Sequence, residues 1–454
     1  MYRAVSLFSG AGGMDLGFIW AGFKVIFAND IKEDAVETYS ANLGRKLGLK
    51  VVRCGEKGVE ATERGVYLCS VENVDFAPLS GDDVDVVFGG PPCQDFSVVR
   101  GPDLRLSGLH VKRGALYLHF VRALAVIQPK VFVFENVPGL KGLHKGLVFR
   151  TILEDLSRLK TRWEELKKLV NRNGMKRPYG YKILFAGVID FSSLGVPQSR
   201  RRLVIIGVRE DLVHRNSVPN LKTPFSEYPL TAMEVFEGRR LDRLEEVYRT
   251  IINEWEGVWD EVKTGRAYWW RDNVWPLLKQ DVVSAYLAFN KIERADLLEE
   301  ALKWHDYVLN LLGYTRAVEK IQVPDGSNEL PRVSEEVAMR MRLIPPGENY
   351  KFVEGTLWEV EGKGISLVYR RLHPLKPAYT VVAFGGGGTY GYHYRRTRTA
   401  LTLRELARLQ TFPDDFIFFG SRHQIRAQIG EAVPPLAAKW IAEVVKDLLK
   451  AYRQ

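Results

Sequence analysis

Short apolar runs recur through the first 210 residues, and they constrain the fold more than any other feature of the sequence. Six of them are continuous enough to form strands buried on both faces: AVSLF, KVIFAND, VDVVFGG, KVFVFEN, YKILFAGVI and RLVIIGVR. Amphipathic stretches such as LYLHFVRALAVIQP and RTILEDLSRLKTRWEELKKLV lie between several of them. This alternation predicts an α/β fold, a mostly parallel sheet with helices on both faces. Active sites in such sheets gather at the carboxyl ends of the strands.

The composition and hydrophobic pattern of the sequence change at about residue 211. Residues 231–320 are rich in Glu, Leu, Arg and Trp with helical spacing, which predicts an acidic helical insertion. Residues 345–400 contain PPGENY, EGKG and AFGGGGTYG and are predicted to form loops and short strands. We therefore predict a first domain over 1–210, a smaller second domain over 211–424 and a C-terminal helix over 425–454.

The net charge of +10 is unevenly distributed along the chain. Positive charge concentrates in residues 101–210 and 372–454, and an acidic block over 211–371 separates the two. A solvated surface would explain such blocks, and so would a polyanionic partner, because neutralising phosphates needs clustered Lys and Arg. The charge alone leaves both interpretations open.

The three cysteines, at positions 54, 69 and 93, form no C-x-x-C pair. Neither a zinc site nor a disulfide framework is indicated, and a reducing compartment fits this usage. The sequence has no run of about eighteen apolar residues and no signal-peptide pattern at its start. We expect a cytoplasmic protein that holds no metal.

A glycine-rich turn follows the first apolar run, in AVSLFSGAGGMDLGF. Asp30 closes the next apolar run, which is the layout of a Rossmann-like nucleoside site whose acid accepts hydrogen bonds from ribose hydroxyls. The dinucleotide fingerprint that starts at Gly10 requires glycine at position 15, where Asp15 stands instead. A carboxylate there repels a pyrophosphate and suits a cationic ligand, so S-adenosylmethionine is favoured over NAD. Phe8 is positioned to stack on the adenine or to join the core.

Cys93 follows VDVVFGGPP, in a loop at the carboxyl end of a predicted strand, and the two prolines fix its backbone. Glu135 ends the run KVFVFE in the same way. In QSRRRLVIIGV, Arg200 and Arg202 alternate onto one face of a strand. An isolated cysteine is more often an inert buried residue, and arginines alone could neutralise phosphates. Together these groups suit one reaction.

That reaction is methylation of a pyrimidine at carbon 5. A thiolate at Cys93 adds to carbon 6 and makes carbon 5 nucleophilic. Glu135 holds ring nitrogen 3 and the amino group, while Arg202 steadies the base and the developing charge. Carbon 5 then takes the methyl group and loses its proton to a base that the sequence does not identify, and Cys93 leaves.

Six ordered motifs carry a resemblance to a known family: LFSGAGGMDLGF, GGPPCQDFS, ENVPGL, QSRRRLVIIGVR, RLQTFPDDF and QIGEAVPP. Their order and spacing resemble the DNA (cytosine-5) methyltransferase family throughout the chain, except for about 211–340. The resemblance implies a catalytic domain that binds S-adenosylmethionine and releases S-adenosyl-L-homocysteine, a target-recognition domain, and a terminal helix that returns to the catalytic domain.

By position, the resemblance implies a catalytic set of Cys93, Glu135, Gln198, Arg200 and Arg202. The implied cofactor contacts are Phe8, Ser9, Gly10, Gly12, Gly13, Asp15, Asp30, Ile31, Ser70, Val71, Pro91, Glu431 and Ala432.

The sequence departs from the family in three places. Ser70 stands where the family usually has Asp, so the adenine amino contact falls to Ser70, Glu72 or Asp75. Glu431 stands where the family usually has Asn. The acidic helical insertion 231–320 is unlike typical recognition domains, and we predict that it serves partner docking or oligomer contacts.

Duplex DNA is the predicted partner, and the target cytosine must swing out of the helix to reach Cys93. The loop 98–114 has glycines able to hinge and could close over the flipped base. The predicted DNA contacts are Arg100, Arg105, Arg113, Lys141, Tyr390, Arg395, Arg396 and Arg398. Further phosphate or base contacts are expected from Lys112, Lys145, Arg150, Tyr392 and His393.

Two alternatives keep most of these features. One is a tRNA cytosine-5 methyltransferase, which the long recognition region argues against. The other is a non-catalytic DNA-binding regulator, which the intact Cys93, Glu135 and Arg202 argue against. We favour a DNA-modifying monomer with or without a cognate restriction enzyme.

Overall fold

A computed structural model gives the architecture of the chain. It describes residues 1–56, 58–62, 64–81, 83–92, 116–159, 177–213, 220–360, 368–385 and 391–451. The chain divides into two compact units, each built from separate segments. The first unit comprises Met1–Asp190, Arg201–Leu221 and Ala432–Gln454, and the second comprises Phe191–Arg200 and Lys222–Glu431. No helix within the described ranges has the length and apolar character of a membrane span.

An eight-stranded sheet forms the centre of the first unit, with the order β3-β5-β2-β1-β7-β8-β10-β9. The pairings from β3 to β8 are parallel, whereas β10 is antiparallel to both β8 and β9. A separate pair joins β4 to β6. The strands are β1 (Arg3–Leu7), β2 (Lys24–Asp30), β3 (Lys50–Arg53), β4 (Val59–Glu60), β5 (Gly65–Leu68), β6 (Val74–Asp75), β7 (Val86–Gly89), β8 (Val131–Asn136), β9 (Tyr181–Asp190) and β10 (Arg201–Arg209).

Helices of the first unit cover the sheet. They are α1 (Gly13–Trp20), α2 (Glu33–Tyr39), α3 (Arg45–Leu47), α4 (Leu116–Ile127), α5 (Leu147–Ser157) and, at the end of the chain, α16 (Pro435–Ala451). The predicted α/β fold with a mostly parallel sheet is confirmed. Its core strands are buried because their apolar runs have no polar face; every residue of β8 is buried, for example.

The terminal helix α16 packs against α1 within the first unit. A Cβ atom at Gly17 of α1 would collide with the Pro435 carbonyl, so glycine permits the two helices to approach closely. Lys446 of α16 donates to the Ala21 carbonyl at 3.0 Å, just after α1 ends. The last segment of the chain is therefore held on the first helix.

Cys54 and Cys69 form a disulfide, contrary to the expectation that the chain has none. The two cysteines directly follow β3 and β5, which are parallel neighbours with Arg53 opposite Leu68. Their Cα atoms are therefore only 5.3 Å apart at one edge of the sheet. The spacing of cysteines along a sequence does not reveal which strands pair, and so the sequence did not indicate this bond.

The second unit is mainly helical in its described residues. Its α-helices are α6 (Ala232–Glu237), α7 (Glu245–Asn253), α8 (Val258–Val262), α9 (Gly265–Asn273), α10 (Trp275–Leu278), α11 (Val282–Asn290), α12 (Leu298–Leu311), α13 (Glu335–Met341), α14 (Leu403–Leu409) and α15 (Arg422–Glu431). Seven of these helices, α6 to α12, lie within 231–320, so the predicted helical content of this segment is confirmed.

The helices of 231–320 are tied to later parts of the same unit by buried polar contacts. Trp255 is fully buried and donates through Nε1 to the Tyr394 carbonyl at 3.0 Å. Within the segment itself, His305 and Glu234 form a buried pair, with 2.8 Å between Nδ1 and Oε1, that joins α12 to α6. The segment therefore shares its core with the region around Tyr394, which the sequence assigned to DNA reading.

Candidate active site

The glycine-rich turn after β1 has a left-handed backbone. Phe8, Gly10 and Gly12 have φ values of 56°, 52° and 91°. A Cβ atom at Gly12 would lie 2.8 Å from the ring of Tyr39, so only glycine fits there. Phe8 is half-buried against the apolar core, and its left-handed backbone is a strained conformation for a bulky residue. The turn thus leaves bare backbone at the carboxyl end of β1.

Asp30, at the end of β2, is joined to this turn. Its Oδ2 accepts the Gly10 N–H at 2.8 Å, and its Oδ1 accepts the Lys32 N–H at 2.9 Å. Ser9 is held in the same way by the Asn29 carbonyl at 2.9 Å. Ile31, the next residue, is 67% exposed. A carboxylate, bare backbone and an exposed apolar side chain are features that a nucleoside would use.

Asp15 is placed differently from the prediction that it contacts the cofactor. Its side chain is fully buried, and its two oxygens accept hydrogen bonds from Ser6 Oγ at 2.9 Å and Tyr39 OH at 2.8 Å. Burial raises the pKa of the Asp15 carboxyl to about 7, although the two hydroxyl groups oppose the shift. Asp15 therefore supports the turn from within and is not available to a ligand in this structure.

The substitution Asp15→Asn tests this buried position. Because the pKa is raised, the folded state holds the proton more tightly than the unfolded state, and stability is lost as pH rises from about 4 through about 7. The unfolding free energy of the variant minus that of wild type should therefore rise by about 2 kcal/mol when the pH is raised from 5 to 8. Thermal or urea unfolding at both pH values measures this, and a difference independent of pH would contradict it.

The loop after β5 contains the three candidates for the adenine contact. Ser70 is half-buried at the start of a 3₁₀ turn, Val71–Asn73, and its hydroxyl does not cap that turn. Glu72 is exposed, whereas Asp75 Oδ1 already accepts the Ala77 N–H at 2.9 Å. The loop begins beside Asp30, whose carbonyl accepts the Cys69 N–H at 2.9 Å. Of the three candidates, Ser70 is the one that directly follows Cys69, the residue hydrogen-bonded to Asp30.

Cys93 lies outside the described residues, but the backbone that leads to it is described as far as Pro92. A Cβ atom at Gly90 would lie 2.8 Å from Glu135 Oε2, so this backbone passes directly beside the Glu135 carboxylate. Asn136 Nδ2 donates to the buried Pro91 carbonyl at 2.9 Å and fixes the same segment. The residue three positions after Gly90 is Cys93.

Glu135 and Arg202 form an ion pair, with 3.1 Å between Oε1 and Nε. Both side chains are mostly buried, with 12% and 15% exposure, so solvent screens the pair only weakly. The pair forms because β10 runs antiparallel to β8, with Val204 opposite Glu135, which brings the start of β10 to the carboxyl end of β8. Arg202 therefore orients the Glu135 carboxylate.

Gln198 and Arg200, predicted as members of the catalytic set, are fully buried in the second unit. Gln198 Nε2 donates to the Leu409 carbonyl at 2.8 Å, and its Oε1 accepts the Val381 N–H at 2.9 Å. Arg200 donates to the carbonyls of Val381 at 2.9 Å and Gly430 at 2.8 Å. These contacts hold three separate segments of the second unit together and are those of structural residues.

Arg200→Met and Arg202→Met are expected to have different effects. Arg200→Met leaves buried carbonyls without donors and should lower the unfolding free energy by about 2–4 kcal/mol. Arg202→Met should slow methyl transfer by the folded enzyme about 10²-fold, because the Glu135 carboxylate loses the guanidinium that orients it. Urea unfolding and single-turnover kinetics separate the two effects, and the reverse pattern would contradict these assignments.

The two predicted cofactor contacts near the end of the chain fall on either side of the boundary between the units. Glu431 is exposed at the end of α15, in the second unit. Ala432 is half-buried and begins the last segment of the first unit. Neither position tests the predicted role.

The predicted DNA contacts differ in where the structure places them. Arg100, Arg105, Arg113, Tyr390 and the whole loop 98–114 lie outside the described residues. Lys141 is exposed, as a phosphate contact requires. Tyr392 and His393 are buried, so their predicted contacts with base edges are wrong for this conformation; His393 stacks on Phe236.

Arg396 and Arg398 are already paired with carboxylates. Arg396 Nη2 contacts Glu261, and its backbone N–H donates to Glu254 Oε2 at 2.8 Å. Arg398 pairs with Glu319 and, at 2.8 Å, with the buried Glu405. Within the described part of the chain, no ion pair engages the half-buried Arg395. Of the three arginines, Arg395 is thus the one best suited to a phosphate.

The sequence interpretation missed Asn136 and Gly90 as parts of the site. Asn136 follows Glu135 directly in ENVPGL, and Gly90 precedes the two prolines, so both lay within motifs already singled out. A polar residue that ends a buried strand was the available signal for Asn136, since such a side chain needs a partner.

The mostly parallel sheet, with the glycine turn and Asp30 at the carboxyl ends of its strands and the Glu135–Arg202 pair at the same edge, defines a Rossmann-like α/β fold. The chain belongs to the C-5 cytosine-specific DNA methylase family, whose sequence profile matches residues 2–447. This confirms the predicted family and enzyme class, DNA (cytosine-5-)-methyltransferase.

Individual relatives agree with this assignment. The chain is 55% identical to the DNA (cytosine-5-)-methyltransferase M.ApeKI of Aeropyrum pernix, covering 99% of each protein. It is 31% identical to the type II methyltransferase M.NgoFVII of Neisseria gonorrhoeae, covering 99% of this chain and 87% of that protein. A solved E. coli structure, described as a DNA modification methyltransferase encoded within a prophage, shares the fold with a TM-score of 0.55 at 21% identity, covering 99% of this chain and all of that one.

Proposed function

We propose that this enzyme transfers a methyl group from S-adenosylmethionine to carbon 5 of a flipped-out cytosine in a short duplex DNA site, through a covalent bond between Cys93 and carbon 6. One observation carries the proposal. The backbone that leads into Cys93 passes beside the Glu135 carboxylate, which Arg202 orients. A nucleophile and a hydrogen-bonding group for one pyrimidine ring would therefore share one edge of the sheet.

The residues at the carboxyl ends of β1 and β2 fit the proposed cofactor. Asp30 offers carboxylate oxygens to ribose hydroxyls, the bare backbone at Gly10 allows close approach, and exposed Ile31 offers an apolar face. When bound, S-adenosylmethionine supplies an electrophilic methyl group on a sulfonium.

Each residue has a defined task in the proposed reaction. Cys93 adds as a thiolate to carbon 6, which raises electron density at carbon 5. Glu135 shares a proton with ring nitrogen 3 and accepts from the amino group, and Arg202 keeps its carboxylate in place. After carbon 5 is methylated, its proton leaves to a base and the bond between Cys93 and carbon 6 breaks.

DNA binding is proposed for both units. Lys141 and Arg395 are phosphate contacts, together with Arg100, Arg105 and Arg113 of the segment after Cys93. The second unit is the proposed target-recognition domain. In this unit, Arg396 and Arg398 form ion pairs with carboxylates, so we propose that they stabilise the 391–400 segment and do not contact DNA. Since relatives are named type II methyltransferases, protection of DNA from a matching restriction enzyme is the proposed biological role.

Methylation of a diverse duplex DNA, with site-resolved detection of 5-methylcytosine, tests the proposal. We expect methylation confined to one short sequence and no methylation of tRNA in a parallel reaction. Methylated tRNA with unmodified DNA would establish the RNA alternative. DNA binding without methylation of either substrate would favour a non-catalytic regulator.

A further inference from the structure

A buried arginine on α4 contacts the loop that follows β5. Arg122 is 9% exposed, and its Nη2 donates to the Val71 carbonyl at 2.6 Å and the Val74 carbonyl at 3.0 Å. Its Nη1 lies 3.5 Å from the Glu72 carbonyl. The guanidinium also lies over the ring of Phe76, 5.0 Å from its centre. One side chain thus spans nearly the whole loop.

We propose that Arg122 is a positioning residue that holds the Ser70–Val74 loop in the conformation that binds S-adenosylmethionine. The inference rests on the proposed function, in which this loop contacts the adenine. Arg122 acts through the loop backbone, and we assign it no contact with the cofactor or the cytosine.

The loop is fixed at its other end by different residues. The Cys69 N–H donates to the Asp30 carbonyl at 2.9 Å, and Asn29 Nδ2 donates to the Cys69 carbonyl at 2.7 Å. Cys69 is also bonded to Cys54. These contacts fix where the loop starts, whereas Arg122 fixes its course from Val71 to Val74. Without Arg122, the carbonyls on that stretch would lose their buried donors.

The position of the loop backbone matters because the side chain at position 70 is short. A longer acidic side chain could reach a ligand from several backbone positions by changing rotamer. The Ser70 hydroxyl oxygen moves only by rotation about χ1, so it reaches the ligand only if the backbone is already correctly placed. The departure from the family at Ser70 therefore makes the enzyme depend on Arg122.

The charge of Arg122 is retained at neutral pH. Burial lowers the pKa of its guanidinium to about 10, while Asp75 and Glu72 oppose that shift. Burying a cation is costly unless hydrogen bonds compensate for lost water. The loop carbonyls supply these hydrogen bonds, so loop geometry and guanidinium position are coupled.

Three variants of the full-length enzyme test the proposal: Arg122→Met, Arg122→Lys and Val126→Ala. Val126 is a buried apolar residue on the same helix, so Val126→Ala controls for loss of core stability alone. The cofactor dissociation constant is measured by calorimetry with S-adenosylmethionine, alongside unfolding temperature, DNA affinity and the methyl-transfer rate at saturating cofactor.

We expect Arg122→Met to weaken cofactor binding about 10- to 100-fold, because the loop loses its geometry. Arg122→Lys keeps the charge with fewer donors and should weaken binding less. DNA affinity and the rate at saturating cofactor should stay within about 2-fold of wild type, since we assign the loop to cofactor binding alone. Val126→Ala should lower the unfolding temperature and leave cofactor affinity unchanged.

Two results would overturn the positioning role. One is a cofactor dissociation constant within about 2-fold of wild type in both Arg122 variants. The other is an equal weakening in Val126→Ala, which would reduce the effect to stability. If Arg122→Met does not fold, the same comparison is made between Arg122→Lys and Val126→Ala. A wild-type enzyme that binds no S-adenosylmethionine would instead refute the proposed function, and this inference with it.

Discussion

Replacing Cys93 by alanine is expected to abolish methyl transfer, with a loss of about 10⁴-fold or more, because alanine has no thiolate to add to carbon 6. Duplex DNA affinity should stay within about 3-fold, since binding depends on phosphate contacts spread over the chain. Single-turnover transfer of a labelled methyl group gives the rate, and DNA titration gives the affinity.

Cys54→Ala provides the matched control for Cys93→Ala. It removes a sulfur that is disulfide-bonded to Cys69 near the start of the proposed cofactor loop, and we assign that sulfur no catalytic step. We expect this variant to keep measurable methyl transfer. Substantial activity in Cys93→Ala would show that the mechanism is wrong, whatever the control does.

Glu135→Gln is expected to slow methyl transfer about 10²- to 10⁴-fold, which is the range for loss of a positioned acid–base group. The amide cannot share a proton with ring nitrogen 3, and it gives up the ion pair with Arg202. Cofactor affinity should change little, because Asp30 and the glycine turn lie on other strands. Single-turnover kinetics and calorimetry measure the two quantities.

The control for Glu135→Gln is Glu154→Gln, at an exposed glutamate of α5. It makes the same chemical change away from the predicted site and should leave the rate within about 2-fold of wild type. A Glu135→Gln rate in that same range would remove Glu135 from the catalytic set.

The fold was predictable where strands are buried on both faces. All six apolar runs became strands, because a continuous run such as VFVF has no face that favours water. Two strands of this sheet lie outside the six runs: the edge strand β3, whose residues are mostly exposed, and β5, which is buried but only four residues long. The disulfide was missed for a related reason, since it depends on the pairing of β3 with β5.

The site was predictable where position along a strand determines location. Asp30 and Glu135 lie at the carboxyl ends of two apolar runs, β2 and β8, and the parallel sheet brings both to the same edge. Asp15 was misplaced because the sequence does not show that Tyr39 and Ser6 enclose it. Partners distant in sequence likewise explain Arg398, which pairs with Glu319, and Arg200, which bonds to Gly430. Alternation along a strand shows which face a side chain takes but not what it meets there.

Covalent trapping is the most direct test of the proposed bond between Cys93 and carbon 6 of cytosine. The full-length enzyme is incubated with S-adenosylmethionine and duplex DNA in which 5-fluorocytosine replaces the cytosine that the enzyme methylates. Fluorine cannot leave carbon 5 as a proton does, so the bond between Cys93 and carbon 6 should persist. We expect a denaturation-resistant complex with wild type and none with Cys93→Ala. A wild-type enzyme that methylates ordinary DNA but forms no such complex, or a Cys93→Ala variant that forms one, would contradict it.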